Sequence, residues 1–334
     1  MTTKLKWGIL GTSFISGVMA QAILEEGHTQ LHSVAGRNED NLRAFANQYH
    51  IPNTYQDFDA LISDNSVDII YIALPNHLHH EFIIKAAQAG KAILCEKSLS
   101  VDMEKTQAAI EAIKQHNVFF AEGLMYLCHP FATHISQVIN EGHIGQIKSI
   151  SGQYCAAIAE FVNPQSRGAL YNLGCYPASL MQLILKQTFG KRIFDDYTVT
   201  ALGRQGQDGN ICESSATIRL NNEVICQLHT AEDYGLHAAF TVLGTKGSIQ
   251  LKSNPWLPEA KDNQLSISQY EQAEKVIDIT ADGNAFLYQV KRIREALEAG
   301  NNALAHPCAT MEDSMQIMQL LTDWEASTLK SLST

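Results

Sequence analysis

The sequence predicts an α/β protein: a doubly wound parallel-sheet domain followed by an α+β domain on a mostly antiparallel sheet. Three observations predict it. From Leu5 to Glu122, short apolar runs alternate with helical segments, the pattern of parallel strands joined by helical crossovers. From Tyr197 to Ser268 the segments are mainly strand-like and split by turn signals. The run Cys95-Glu96-Lys97-Ser98 closes the apolar stretch Ala92 to Cys95. It places a Glu-Lys pair at the carboxyl edge of a parallel strand, where an open α/β sheet carries its chemistry.

Leu5 to Leu10 is apolar and ends at Gly11, which suits a buried strand. Phe14 to Glu26 reads as a helix, Leu31 to Ala35 as the second strand and Asn41 to Tyr49 as the second helix. Asp68 to Ala73 is the third strand, and Glu81 to Ala89 a helix ended by Gly90. Ala92 to Cys95 is the fourth strand, Met103 to Gln115 a helix with Thr106, Ile110 and Ile113 along one face, and Val118 to Glu122 the fifth strand. The pattern changes there, giving domains 1–123 and 124–334. In the second, Phe131 to Asn140 is a helix, Ile147 to Ala157 a longer strand and Leu173 to Leu185 a helix. Asp208-Gly209 marks a turn. Thr217 to Leu220 and Glu223 to Leu228 pair across Asn221-Asn222, and Ala239 to Leu243 and Ser248 to Leu251 flank Gly244-Thr245-Lys246-Gly247. Ala285 to Ala299 and Met311 to Ser327 are helical.

A chain of 334 residues is long enough for two domains, each with its own core. With 45% hydrophobic and 18% charged residues it suits a soluble globular enzyme. A formal charge of −11 argues against nucleic acid, whose phosphates demand clustered Lys and Arg. No apolar run approaches a membrane span, and the chain enters its first strand directly after Met1-Thr2-Thr3-Lys4, without a secretory signal. Seven scattered cysteines, an odd number, read as reduced thiols in the cytoplasm. No Cys-x-x-Cys pair or His-Glu-x-x-His helix points to zinc, and no metal is expected.

The first strand-turn-helix offers a dinucleotide site. The turn Gly11-Thr12-Ser13-Phe14-Ile15-Ser16 keeps the first glycine of a Gly-x-Gly-x-x-Gly pattern and puts serines at the other two places. The helix start still offers backbone N–H groups to a phosphate. At the end of the second strand an acid would bind the ribose hydroxyls of NAD; the chain has Ala35-Gly36-Arg37 instead. The Arg37 guanidinium suits a 2′-phosphate or a stacked adenine, which favours NADP over NAD. Pro75-Asn76-His77-Leu78-His79-His80 follows the third strand. With no Cys, Asp or Glu at ligand spacing, this loop reads as a wall of the cofactor cleft shaped by Pro75, with Asn76 and His79 facing the cofactor.

A second candidate site is Gly168 to Pro177, where Asn172 and Tyr176 stand four apart at a helix start. Gly168 and Gly174 would let the backbone approach a ligand. A Tyr hydroxyl gives or takes a proton, or holds a substrate oxygen. Lys97 binds an anion or acts as acid or base.

Together these segments resemble the glucose–fructose oxidoreductase / inositol dehydrogenase (Gfo/Idh/MocA) family over nearly the whole chain. The family's Glu-Lys-Pro motif is similar to Glu96-Lys97-Ser98, and Gly174-Cys175-Tyr176-Pro177 looks like the branch with dimeric dihydrodiol and xylose dehydrogenases. The resemblance implies a Rossmann domain binding NADP or NAD, and a second domain with an open-faced sheet. It implies hydride transfer at a carbinol carbon of a sugar, polyol or cyclic alcohol, with Lys97 and Tyr176 as catalytic residues and Asn172 and Glu96 at the substrate. Glu96 also adjoins the cofactor. Three positions depart from the family: Ser13 for Gly, Ser98 for Pro and Asn172 for Asp. They motivate a second reading, a non-catalytic NAD(P)- or sugar-binding regulator of the same fold. The free face of the antiparallel sheet predicts a homodimer or homotetramer; Val224, Cys226 and Leu228 alternate there with Ile225, Gln227 and His229.

Overall fold

In the computed structural model, which describes residues 4–333, the five apolar runs of the N-terminal segment and one short further strand form a six-stranded parallel sheet. The chain runs β1 (Leu5–Leu10), α1 (Phe14–Glu26), β2 (Thr29–Ala35), α2 (Glu39–Gln48), β3 (Asn53–Tyr55), α3 (Phe58–Ile62), β4 (Ile69–Ile72), α4 (His79–Gln88), β5 (Ala92–Cys95), α5 (Met103–His116) and β6 (Phe120–Glu122). The sheet order is β3-β2-β1-β4-β5-β6. The chain winds one way from β1 and the other from β4, so a crevice opens at the carboxyl ends of these two neighbours. Trp7, Ile9, Val34, Ile69 and Tyr71 are fully buried, as strands covered on both faces require. Asp57 caps α3 and Asp102 caps α5, each accepting backbone N–H groups of the first turn. The sequence reading passes over β3 and α3; both are too short to show a period.

The chain divides into two units, and the first also contains Phe286–Met315. Most of α8 (Ala285–Glu298) lies in that segment. Arg294 of α8 meets Glu26 at 2.7 Å, and Gln289 Nε2 donates to the Glu122 carbonyl at 3.3 Å. The sequence reading counts this stretch in the second domain. A helix's apolar stripe says that it packs, not which core it packs on.

The second unit holds Tyr126–Ala285 and the chain from Gln316 onward. It contains α6 (Pro130–Asn140), β7 (Ile147–Ala156), α7 (Cys175–Phe189), β8 (Tyr197–Gln205), β9 (Ile211–Leu220), β10 (Ile225–Ala231), β11 (Leu236–Gly244), β12 (Gly247–Leu251), β13 (Asn263–Gln269), β14 (Lys275–Ile279) and most of α9 (Met311–Leu332). The sheet order is β14-β13-β12-β11-β7-β10-β9-β8, antiparallel throughout except for the parallel pair β7 and β10. One face is apolar: Ala216, Ile218, Cys226, Leu228, Phe240, Val242, Ile249 and Leu265 are buried, and α7 packs over β7 and β10. The opposite face is mixed, with Ser, Thr and Gln across its middle and Leu202, Arg204, Arg219, Ile225 and Leu243 exposed among them. Thr200, Thr217, Gln227, Ser151, Thr241, Gln250, Ser266 and Val276 form one row of directly paired residues across the sheet. Ile225, Gln227 and His229 belong to this open face, while Cys226 and Leu228 point to the core.

Candidate active site

In the first unit the turn after β1 is fixed by a glycine that nothing else replaces. Gly11 has φ +106°, its N–H donates to the Ala35 carbonyl at 2.9 Å, and a Cβ there would stand 2.8 Å from the Ala73 carbonyl. The ends of β1 and β4 press together at this point, and only glycine leaves the room. Ser13 caps α1: its hydroxyl accepts from Ser16 N, and Ser16 Oγ accepts from Ser13 N. The serines at the two missing glycine places thus form a reciprocal capping box. Thr12 and Ile15 are half-buried, and Phe14 is 88% exposed beside the helix start.

Pro75 leads into a short 3₁₀ turn, Asn76–Leu78. Asn76 is buried, and its Nδ2 has no hydrogen-bond partner among the described residues. A buried donor left without an acceptor calls for an explanation. A dinucleotide at this edge would supply acceptors for it, the bare Gly11 backbone would leave room for a pyrophosphate, and the α1 N–H groups would favour its charge. The residues present therefore fit the cofactor. Arg37, exposed at the end of β2, lies over the Phe58 ring at 5.5 Å. The nearest carboxylate in sequence, Glu39, is held by Arg43 at 2.7 Å.

Lys97 follows β5 and is half-buried. The carboxylate of Glu96 lies behind it. Oε1 accepts from the Tyr71 hydroxyl at 2.6 Å and Oε2 from Lys97 N at 3.3 Å. Burial raises the Glu96 pKa, while the Lys97 charge and the Tyr71 bond hold it down. The Lys97–Ser98 peptide is cis. Ser98 is fully buried, and its carbonyl lies 2.8 Å from His79 Nδ1; the Leu74 carbonyl lies 2.7 Å from Nε2. Burial draws the His79 pKa down to about 4, so the ring is neutral at pH 7 and donates through one nitrogen. What His79 contributes to the crevice is the placement of the Leu74 and Ser98 loops. Leu99 N donates to Glu122 Oε1 at 3.0 Å, and burial pushes the Glu122 pKa up to about 7.

In the second unit the helix start carries a wide π turn, Leu170–Gly174, before α7. Such turns are common at functional sites. Asn172 sits within it and Tyr176 in the first turn of α7, both about 6% exposed. The Tyr176 ring meets Tyr154 edge-on at 5.2 Å and lies 6.1 Å from Trp256. Its backbone carbonyl accepts from Ser179 Oγ at 3.0 Å and from Tyr126 OH at 3.3 Å. The phenol is thus held by an aromatic packing shell. The two glycines differ from expectation. Gly168, φ +83°, lies against the Ile211 carbonyl, and Gly174 is helical and faces Thr230 and Trp324. Both serve packing of the chain on itself rather than approach of a ligand.

One group escapes sequence reasoning. Asn172 Nδ2 donates to Glu232 Oε2 at 2.7 Å, and Glu232, just past β10, is 3% exposed. Burial pushes its pKa up to about 7, against the Asn172 bond. Nothing in Thr230-Ala231-Glu232-Asp233 marks it; the strand pairing brings it there. Among the described residues no group of His, Cys, Asp and Glu is arranged to hold a metal.

Residues 5–124 match the family model described as the oxidoreductase family with NAD-binding Rossmann fold, and 133–250 match the GFO/IDH/MocA C-terminal domain. The chain belongs to the GFO/IDH/MocA oxidoreductase family. It is an NAD(P)-dependent oxidoreductase acting on a small molecule. The trans-1,2-dihydrobenzene-1,2-diol dehydrogenase of Xenopus tropicalis is 25% identical over 95% of this chain and 96% of its own. The NADP-dependent D-xylose 1-dehydrogenase 2 of Haloferax volcanii is 28% identical over 54% and 57%. A 3-ketoreductase from Actinomadura kijaniata, solved with NADP and TDP-benzene, superposes with a TM-score of 0.85 at 21% identity, covering 98% of both chains.

Proposed function

We propose that the enzyme interconverts an alcohol and a carbonyl at a carbinol carbon of a sugar, polyol or cyclic alcohol, with NADP(H) preferred over NAD(H). The observation that carries this reading is Lys97, half-buried at the carboxyl end of β5 and backed by Glu96. The nicotinamide, when bound, accepts or supplies the hydride. Gly11, Thr12, Ser13, Phe14 and Ile15 hold the pyrophosphate, Pro75 and Asn76 line the nicotinamide side with His79 behind them, and Arg37 takes the 2′-phosphate. Lys97 stabilises the alkoxide that develops as the hydroxyl loses its proton. Tyr176 or Lys97 takes that proton in oxidation and returns it in reduction. Asn172 orients the substrate, and Glu96 keeps the Lys97 turn in place at the border of substrate and cofactor.

Two further features belong to the same reading. The open, mixed face of the second unit's sheet packs against another copy to give a homodimer or homotetramer. The enzyme works in the cytoplasm, a reading supported by an odd number of cysteines, seven, scattered along the sequence. No helix among the described residues is long and apolar enough to cross a membrane.

The test is turnover, followed by nicotinamide absorbance, on D-xylose, D-glucose, myo-inositol and trans-cyclohexane-1,2-diol with each cofactor. Turnover with at least one, faster at low NADP+ than at equal NAD+, is expected. Tight NADP binding without turnover on any of the four would favour the non-catalytic regulator.

A further inference from the structure

The chain leaves β5 at Cys95 and presents Lys97 two residues later, with Ser98 next. A serine does not fix its own φ as a proline does. Buried side chains hold this turn instead. Lys97 N donates to Glu96 Oε2 at 3.3 Å, the Ser98 carbonyl lies 2.8 Å from His79 Nδ1, and Leu99 N donates to Glu122 Oε1 at 3.0 Å. Three successive residues are thus met from three places: the end of β5, the start of α4, and β6.

We propose that Glu122 is a positioning residue for the reaction: by holding Leu99 N it sets where the Lys97 side chain stands. Two residues separate Leu99 from Lys97, so backbone play at one is carried to the other. A reacting group displaced by about 1 Å loses up to roughly 10²-fold in rate, so the hold bears on kcat. The inference rests on the assignment of Lys97 to the chemistry.

Glu122 is itself fixed. It pairs with Cys95 in the parallel register of β5 and β6, beside the point where the chain leaves β5. Its carbonyl accepts from Gln289 Nε2 of α8 at 3.3 Å and from Leu124 N at 2.8 Å. The next residue, Gly123, donates to the Cys95 carbonyl at 2.6 Å, and a Cβ on it would stand 3.0 Å from Glu96 Cα. Glycine there lets the two strand ends close up, and Glu122 reaches across to Leu99. The carboxyl is 4% exposed, a depth at which an apolar side chain of similar size would avoid the cost of burying a polar group. What an apolar side chain would not supply is the acceptor. Protonated or ionised, a carboxyl keeps an oxygen for Leu99 N, so the hold persists through the Glu122 titration. The carboxyl also lies close enough to Ser314, in the same unit, for a side-chain hydrogen bond that lowers its pKa.

The experiment compares side chains with and without an acceptor at position 122. Glu122→Gln keeps an oxygen for Leu99 N. Glu122→Met keeps the length without one, and Glu122→Ala takes its place should the Met variant not fold. The first arm needs no turnover. Amide hydrogen exchange of the full chain, read at single-residue resolution by mass spectrometry, should speed up at Leu99 about tenfold or more in Glu122→Met and stay near the parent's rate in Glu122→Gln. Ile93 N, bonded to the Phe119 carbonyl, is the control and should not change. Unchanged exchange at Leu99 in Glu122→Met overturns the hold itself. The second arm measures kcat and KM on whichever of the four substrates named above is turned over best. Glu122→Met should lower kcat about 10–100-fold, with KM and the NADP dissociation constant near the parent's, and Glu122→Gln should recover most of that loss. Because Glu122 acts through Lys97, the double variant Lys97→Ala with Glu122→Met should be no slower than Lys97→Ala alone. A further loss in the double variant, or a parent-like kcat in Glu122→Met, overturns the positioning while leaving Lys97 in its role. Full activity in Lys97→Ala, or no turnover in the parent, overturns the proposal through the assignment of Lys97 instead.

Discussion

The proposed chemistry turns on one residue, Lys97. It stands at the carboxyl edge of β5, with Glu96 and Tyr71 fixing the backbone beneath it. Lys97→Ala should lower kcat by roughly 10²–10⁴-fold with cofactor binding retained, because only a transition-state interaction is lost. Full activity in that variant would move the chemistry elsewhere. Tyr176→Phe removes a hydroxyl from a packed ring and should cut kcat in the same direction with an unchanged thermal midpoint. Arg37→Ala should weaken NADP(H) more than NAD(H); equal losses for both would reduce its role to stacking. Glu122 supplies a test of stability. Its pKa, raised to about 7 by burial, means that the folded state binds the proton more tightly than the unfolded chain. Its contribution is full below the ordinary Glu pKa and disappears as pH rises through about 7, a change of about 3 kcal/mol. Relative to the parent, Glu122→Gln should therefore gain in urea midpoint between about pH 5 and about pH 8. A constant difference across that range would show that Glu122 does not titrate in the window.

At the scale of the element, α1 shows how a departure from a motif is absorbed. The glycines expected at positions 13 and 16 are serines that cap the helix with each other's hydroxyls. Ser13→Ala should cost about 1 kcal/mol, whereas Ser13→Gly should cost only a few tenths, since glycine is itself tolerated at a cap. Ser13→Gly also restores the bare backbone of the dinucleotide motif. It should leave NADP affinity equal or higher, as measured by quenching of protein fluorescence; a large loss would mean that the Ser13 hydroxyl itself holds phosphate. The π turn before α7 is the second telling element. The sequence reading begins that helix at Leu173, and the observed helical path starts earlier, at Leu170, with one widened turn. Period counting cannot see such a turn, because one extra residue is absorbed without a change of composition.

For the whole molecule, the open face of the eight-stranded sheet is the surface that asks for a partner. It presents rows of Ser, Thr and Gln, with Leu202, Ile225 and Leu243 exposed among them. Light scattering at micromolar concentration should give a dimer or tetramer, and Gln227→Lys with Thr241→Lys should dissociate it by placing like charges in the middle of the face. A monomeric parent would end the idea. The class and the order of the parts are legible in the residues alone. Strands buried on both faces must be apolar throughout, so β1, β4 and β5 announce themselves, and Gly11 and the Glu96-Lys97 pair mark the strand ends where chemistry gathers. Which core receives α8, the parallel pairing of β7 with β10 and the meeting of Glu232 with Asn172 emerge only in the folded chain. The reason is physical. Periodicity records how each segment meets water and core, a local property. The pairing of Glu232 with Asn172, 60 residues apart, depends on strand register and helix placement. No single segment encodes these.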